Sequence, residues 1–271
     1  MTVKPVRITL ALLFVYSISQ STSFAQAPEP DQTPPAASSP AAQAPPDVDR
    51  PVSLKRLLPN LLDDQKRIWT FPARLVEGHN WIPTAAVLGT TAALIALDPV
   101  EGGYFRRTTA FHGFNSVFSS NATQAGVLIA PAAFYAVGLV RKDPKMQKTA
   151  LFAAEALGDA EILLTVLKDS TNRLRPSSVP PNGNFSDTFF ERPPRLVSST
   201  SFPSGHAITA CAVATVIARR YGNHHWVPYA AYGGAALVGF SRLTLSAHFT
   251  SDVFMGAALG YCISRFVVLH E

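Results

Sequence analysis

Pro203-Ser204-Gly205-His206 runs without a break into the apolar stretch Ala207–Ala218, and the fold is read outward from that junction. Ala207–Ala218 is rich in small and branched apolar residues and lacks the alternation of a half-buried strand, so it reads as a buried helix. Gly205 lets backbone approach closely where the helix begins. A helix start presents unpaired N–H groups and the positive end of the helix dipole, which suit an anion such as phosphate. The Ser204 hydroxyl can donate as well, and His206 stands where a departing oxygen would need a proton. Taken alone, the tetrapeptide fits a capped helix with a surface histidine equally well.

Five further apolar segments surround this one: Ile82–Leu97, Ala125–Val140, Thr149–Leu167, Val227–Phe240 and Val253–Leu269. All are rich in Ala, Leu and Gly and read as helices, which predicts an all-α, six-helix bundle. Pro83 and Pro228 fall near helix starts, where proline is tolerated. Pro131 falls inside its segment and should kink it. The insert from Asp169 to Phe202 is full of Pro, Ser, Asn and Gly and reads as a long functional loop. In it, Phe185, Phe189 and Phe190 either line an apolar mouth or fasten the loop to the bundle.

The 271 residues include 47% hydrophobic and only 15% charged side chains, against roughly 25% charged in ordinary soluble domains. This points to a heavily buried or membrane-associated helical protein. The formal charge of +5 is mild and the basic residues form no long runs, which argues against a nucleic-acid partner. Cys211 and Cys262 lie in apolar segments and read as small buried hydrophobes. No His/Cys cluster has zinc spacing.

The N-terminus reads as a leader over residues 1–25. Lys4 and Arg7 precede an apolar run from Ile8 to Ile18, and Ser23-Phe24-Ala25 has the small-x-small form of a cleavage site. Residues 26–52 form a Pro/Ala-rich linker with too little apolar bulk to offset chain entropy, and read as disordered. Residues 53–80 contain a lead-in helix, amphipathic by its Leu57, Leu58, Leu61, Leu62 and Ile68. Residues 81–271 make up the helical domain.

A membrane-spanning helix needs about 20 apolar residues, and most of the six segments fall short. A cleaved leader followed by three crossings would place Lys168 and Arg175 inside. It would place the basic group Arg141, Lys142, Lys145 and Lys148 outside, against the positive-inside tendency. A compact exported bundle avoids this conflict and ranks ahead of an integral membrane protein.

Two other segments carry chemistry. Lys168 and Arg175-Pro176 lie at the end of the third apolar helix and in the loop beyond it. Ser241-Arg242 is followed by His248 and Asp252. Arginine grips phosphate oxygens in a fork, and lysine supplies a point charge. Residues i and i+4 share a helical face, so Asp252 is positioned to accept a hydrogen bond from one ring nitrogen of His248. That would leave the other nitrogen free as a nucleophile. Each cation singly also fits a solvated helix end, and the His–Asp pair singly also fits a structural contact.

Taken together, Lys168-x6-Arg175-Pro176, Pro203-Ser204-Gly205-His206 and Ser241-Arg242-x5-His248-x3-Asp252 resemble the signature of the type 2 phosphatidic acid phosphatase and vanadium haloperoxidase superfamily. Every fixed position is present. The resemblance implies a helical bundle with its site at helix ends. By position it assigns phosphate binding to Lys168, Arg175, Ser204, Gly205 and Arg242. It makes His206 the proton donor, His248 the nucleophile that becomes a phosphohistidine, and Asp252 the residue that orients His248. No cofactor or metal is implied. The expected activity is a metal-independent phosphatase acting on a phosphomonoester or diphosphate, with a phosphorylated lipid ahead of a small phosphate ester as substrate. The alternatives are a soluble non-specific acid phosphatase and a haloperoxidase, and only the haloperoxidase would carry vanadate. The expected location is exported and periplasmic, with membrane association or insertion as further options.

Overall fold

The structure is a computed structural model that describes residues 50–118, 120–191 and 200–270. The leader and most of the Pro/Ala-rich linker lie outside the described residues. Among the described residues there are eight α-helices rather than six: α1 Leu57–Val76, α2 Trp81–Arg107, α3 His112–Val117, α4 Ser120–Val140, α5 Pro144–Thr171, α6 Gly205–Arg220, α7 Trp226–Thr244 and α8 Thr250–Cys262. A π-helical turn, Ile263–Val268, extends α8. Among the described residues there is no strand. The two extra helices are the amphipathic lead-in α1 and the short α3. Neither belongs to the continuous apolar runs from which six were counted.

The helices also outrun the apolar segments. α2 continues ten residues past Leu97, through Asp98, Pro99 and Glu101, to Arg107. α5 begins at Pro144, because Asp143 caps it by accepting from the Met146 N–H at 3.0 Å. It ends only where Asn172 turns left-handed at φ 42°.

α6 lies at the centre, packed by α5, α7 and α8. Phe152, Ala156, Ala160 and Leu164 of α5 meet Ile208, Ala212 and Val216 of α6, with Ile263 and Val268 closing the core. Small residues bring α6 and α8 into backbone contact. A Cβ on Gly256 would stand 2.6 Å from the Ser204 carbonyl oxygen, so only glycine fits. This contact seats the start of α8 beside the start of α6.

Among the described residues three helical stretches are long and apolar enough to cross a membrane: Trp81–Arg107, Ala122–Val140 and Thr250–Val268. Only 11% of the apolar window in each of the first two is buried by the rest of the chain. Leu88, Leu97 and Val100 on α2 and Leu128, Ile129 and Leu139 on α4 are exposed. Such a continuous apolar surface suits lipid better than water. The expectation of spans too short for a bilayer does not hold for these stretches, because their polar ends are helical as well. Both cysteines are free. Cys211 is buried, but Cys262 is exposed rather than packed inside.

Candidate active site

The ends of α5 and α7 and the starts of α6 and α8 meet at one end of the bundle. The inward turns of the long loop join them there. The loop is fastened by hydrogen bonds from Leu174 N–H to Thr188 O (2.7 Å), Ser177 N–H to Ser246 O (2.8 Å) and Ser201 N–H to Arg173 O (2.8 Å). Phe185 is buried against Phe249 and Val179, and Phe189 packs on Phe202. These two phenylalanines fasten the loop, while Phe190 points outward, 77% exposed.

Lys168, in the last turn of α5, is half-buried and donates its Nζ to Thr200 O at 2.9 Å. Burial, and then the charge of Arg175, lowers its pKa to about 8. Arg175 precedes the 3-10 turn Pro176–Ser178. Its charge is felt by Lys168, Arg242 and His248 alike, which places it among them. Arg242 is fully buried near the end of α7. Its guanidinium donates to Ser241 Oγ at 2.7 and 3.0 Å and to Phe118 O at 3.0 Å.

Ser204 caps α6. Its hydroxyl accepts from the Ala207 N–H at 3.4 Å, and its own N–H donates to Asp252 O at 2.9 Å. Gly205 opens the helix, close against α5: a Cβ there would meet Leu164 at 3.1 Å. His206 follows in the first turn, half-buried while its neighbours on the helix are buried.

His248 is buried just ahead of α8. Its Nδ1 lies 2.7 Å from Ser201 O, 3.4 Å from Ser201 Oγ and 3.7 Å from Asp252 Oδ2. This corrects the expectation of a direct hydrogen bond on a shared helical face. His248 precedes the helix, whose N-cap is Phe249, and Asp252 is its third residue. The Asp252 carboxylate turns back to accept from the Phe249 N–H at 2.8 Å and from Ser201 Oγ at 2.5 Å. The backbone carbonyl of Ser201 therefore holds the proton on Nδ1 and leaves Nε2 with the lone pair. Burial, with the charges of Arg175 and Lys168 adding to it against Asp252, lowers the His248 pKa to about 4. The ring is neutral at ordinary pH.

Four residues here escaped the sequence reading: Ser201, Arg173, Asp98 and Glu101. Arg173 is buried and pairs with Asp252 at 2.6 Å and Asp98 at 2.7 Å. Two carboxylates inside the apolar helix α2 were the available signal. Among the described residues no group of three His, Cys, Asp or Glu is placed to hold a metal ion.

Residues 147–270 match the family model of the PAP2 superfamily. Two curated relatives are similar over shorter stretches. A lipid A 1-phosphatase of Porphyromonas gingivalis is 38% identical over 73 residues, covering 27% of this chain and 16% of that protein. Phosphatidylglycerophosphatase B of Bacillus subtilis is 36% identical over 113 residues, covering 38% of this chain and 48% of that one. The chain thus spans less than half the length of the curated relatives it matches. A solved structure, the transmembrane PAP2-type phosphatidylglycerolphosphate phosphatase from Bacillus subtilis, aligns over 79% of this chain and 92% of its own. Its TM-score is 0.38 at 23% identity.

Proposed function

We propose that this protein is a membrane-embedded phosphatase that hydrolyses a phosphomonoester or diphosphate carried by a lipid, through a phosphohistidine on His248. The observation that carries the reading is the setting of His248. The ring is buried and neutral, with Nδ1 held by a carbonyl and Arg175 and Lys168 close enough to act on its charge. A neutral imidazole beside cations is a nucleophile placed where a phosphate would be drawn.

In the first step the Nε2 lone pair of His248 attacks phosphorus. The N–P bond forms as the P–O bond to the alcohol breaks, and His206 gives its proton to the departing oxygen. In the second step His206 accepts a proton from water, whose oxygen attacks phosphorus. The N–P bond breaks and inorganic phosphate leaves. Lys168, Arg175 and Arg242, with the Ser204 hydroxyl and the Gly205 N–H at the start of α6, hold the phosphoryl oxygens and the charge that grows on them.

Two features support a lipid substrate: the exposed apolar faces of α2 and α4, and the lipid phosphatases among the relatives. The orientation follows from charge. Arg141, Lys142, Lys145 and Lys148, with Arg219 and Arg220, gather at the end of the bundle opposite the site, where Lys145 lies over the Tyr221 ring at 4.8 Å. The positive-inside tendency makes that end cytoplasmic and turns the site outward. The start of α2 is then cytoplasmic too.

Intact cells producing the protein are expected to hydrolyse para-nitrophenyl phosphate supplied outside, and cells producing His248→Ala are not. Equal hydrolysis by both would remove His248 as nucleophile. Activity that appears only after the cells are broken would reverse the orientation.

A further inference from the structure

Behind His248 lies a buried ion network that leaves the family-matched segment 147–270 and reaches α2. Its hub is Arg173, 1% exposed. Nη1 donates to Asp252 Oδ1 at 2.6 Å and to Ser251 Oγ at 2.7 Å. Nη2 donates to Asp98 Oδ2 at 2.7 Å, and Nε donates to Thr188 Oγ1 at 3.1 Å. The Phe189 and Phe249 rings are centred 4.3 and 4.1 Å from its Cζ and fix the plane of the guanidinium. Asp98 also accepts from the Ser251 N–H at 3.2 Å and from the Ser251 hydroxyl. One turn on, Glu101 accepts from the Thr250 N–H at 2.7 Å. Two carboxylates of α2 thus hold the first turn of α8, the turn that follows His248.

We propose that Asp98, acting through Arg173, is a positioning residue for the His248 nucleophile, so that the site extends onto α2. The proposal rests on the phosphohistidine reading above. The Asp252 carboxylate serves Arg173 with one oxygen, and Ser201 and the Phe249 N–H with the other. Ser201 in turn supplies the carbonyl that holds His248 Nδ1. The buried guanidinium is held between two carboxylates, one drawing on each side. With the charge of Asp98 removed, Arg173 bears on Asp252 alone and draws it away from Ser201, and the ring loses its setting. Lysine cannot replace Arg173, since it lacks both the planar fork and enough donors for four partners.

The test uses the full-length protein in bilayer or detergent, with para-nitrophenyl phosphate as the probe. Asp98→Asn keeps the shape and removes the charge. Its kcat is expected to fall about 10- to 100-fold, the scale of other outer-shell partners, with KM within about twofold of wild type. Arg173→Lys is expected to lose at least as much, and Asp98→Glu to regain part of the loss. Thermal unfolding of each variant gives the folded fraction by which rates are normalised. Wild-type kcat in Asp98→Asn overturns the proposal, as does a loss that vanishes on normalisation or one confined to KM. If Asp98→Asn does not fold, Arg173→Lys, which keeps the charge but loses the fork that reaches Asp98, is read in its place. A kcat drop there supports the proposal, and an unchanged kcat overturns it. His248→Ala is assayed alongside: turnover surviving in it sinks the phosphohistidine reading, whereas an inactive His248→Ala beside a fully active Asp98→Asn sinks this proposal alone.

Discussion

The Nζ of Lys168 donates to the backbone oxygen of Thr200 at 2.9 Å, and the Thr200 hydroxyl donates back to Lys168 O at 3.2 Å. This reciprocal pair ties the last turn of α5 to the segment that leads into Pro203-Ser204-Gly205-His206. It holds the ammonium at the site while leaving it further donors for a phosphate oxygen.

The pH dependence follows from that ammonium. Burial and Arg175 set its pKa near 8, well below the usual lysine value. Protonated Lys168 binds phosphate, so the charge is present below pH 8 and lost above it. In the proposed mechanism kcat/KM, which reports the free enzyme, should decline as pH rises through about 8. A bound phosphate raises the lysine pKa, so the decline in kcat should fall at higher pH. Lys168→Arg should move the kcat/KM limb beyond pH 10, because arginine keeps its proton. On the acid side His248, near 4, stays neutral and adds no limb above about pH 5. Steady-state profiles for both proteins provide the check. An alkaline limb that stays at the same pH in Lys168→Arg would assign it to another group.

The second prediction concerns Asp252. The tautomer of His248 is set by the Ser201 carbonyl, so Asp252→Asn should not reverse it. The substitution instead leaves the buried Arg173 with one carboxylate partner in place of two. Arg173 keeps Asp98, so the loss is that of a charge-assisted hydrogen bond, about 1.5–3 kcal/mol. The expected result is a clear fall in thermal midpoint, with residual turnover in the folded fraction well above that of His248→Ala. An Asp252→Asn protein with wild-type stability and no turnover would show that the carboxylate acts on the ring directly.

What could be read from the sequence and what could not divide along contact range. Lys168, Arg175, Ser204, Gly205, His206, Arg242, His248 and Asp252 sit in three short patterns whose spacing is visible without a fold. Arg173 lies inside the first pattern yet passed unnoticed, because its partners are 75 and 79 residues away on α2 and α8. The end of α2 was misplaced for the same reason. Asp98-Pro99 looks like a stop signal, but pairing of Asp98 with Arg173 and Ser251 lets the helix run on to Arg107. The Asp252 contact failed locally: spacing of four implies a shared helical face only if both residues are in the helix, and His248 precedes it.

The last prediction tests the contact that seats α8. A Cβ on Gly260 would fall deep inside contact distance of Ile208 O and 2.9 Å from Ala212 N, both backbone atoms of α6. Backbone cannot turn aside as a flexible side chain can. Gly260→Ala should therefore push α8 away from α6 at a cost of about 1–3 kcal/mol. The start of α8 would move with it, carrying His248 and Asp252 away from Ser201. Gly233 and Gly234 on α7 provide the control, since a Cβ at either meets nothing within 4 Å. Alanine at those positions should be neutral, or stabilising by up to about 1 kcal/mol through helix propensity. Thermal midpoints and kcat for the three variants separate the cases. If Gly260→Ala matches Gly233→Ala in both measures, close packing of α6 on α8 is not what holds the nucleophile in place.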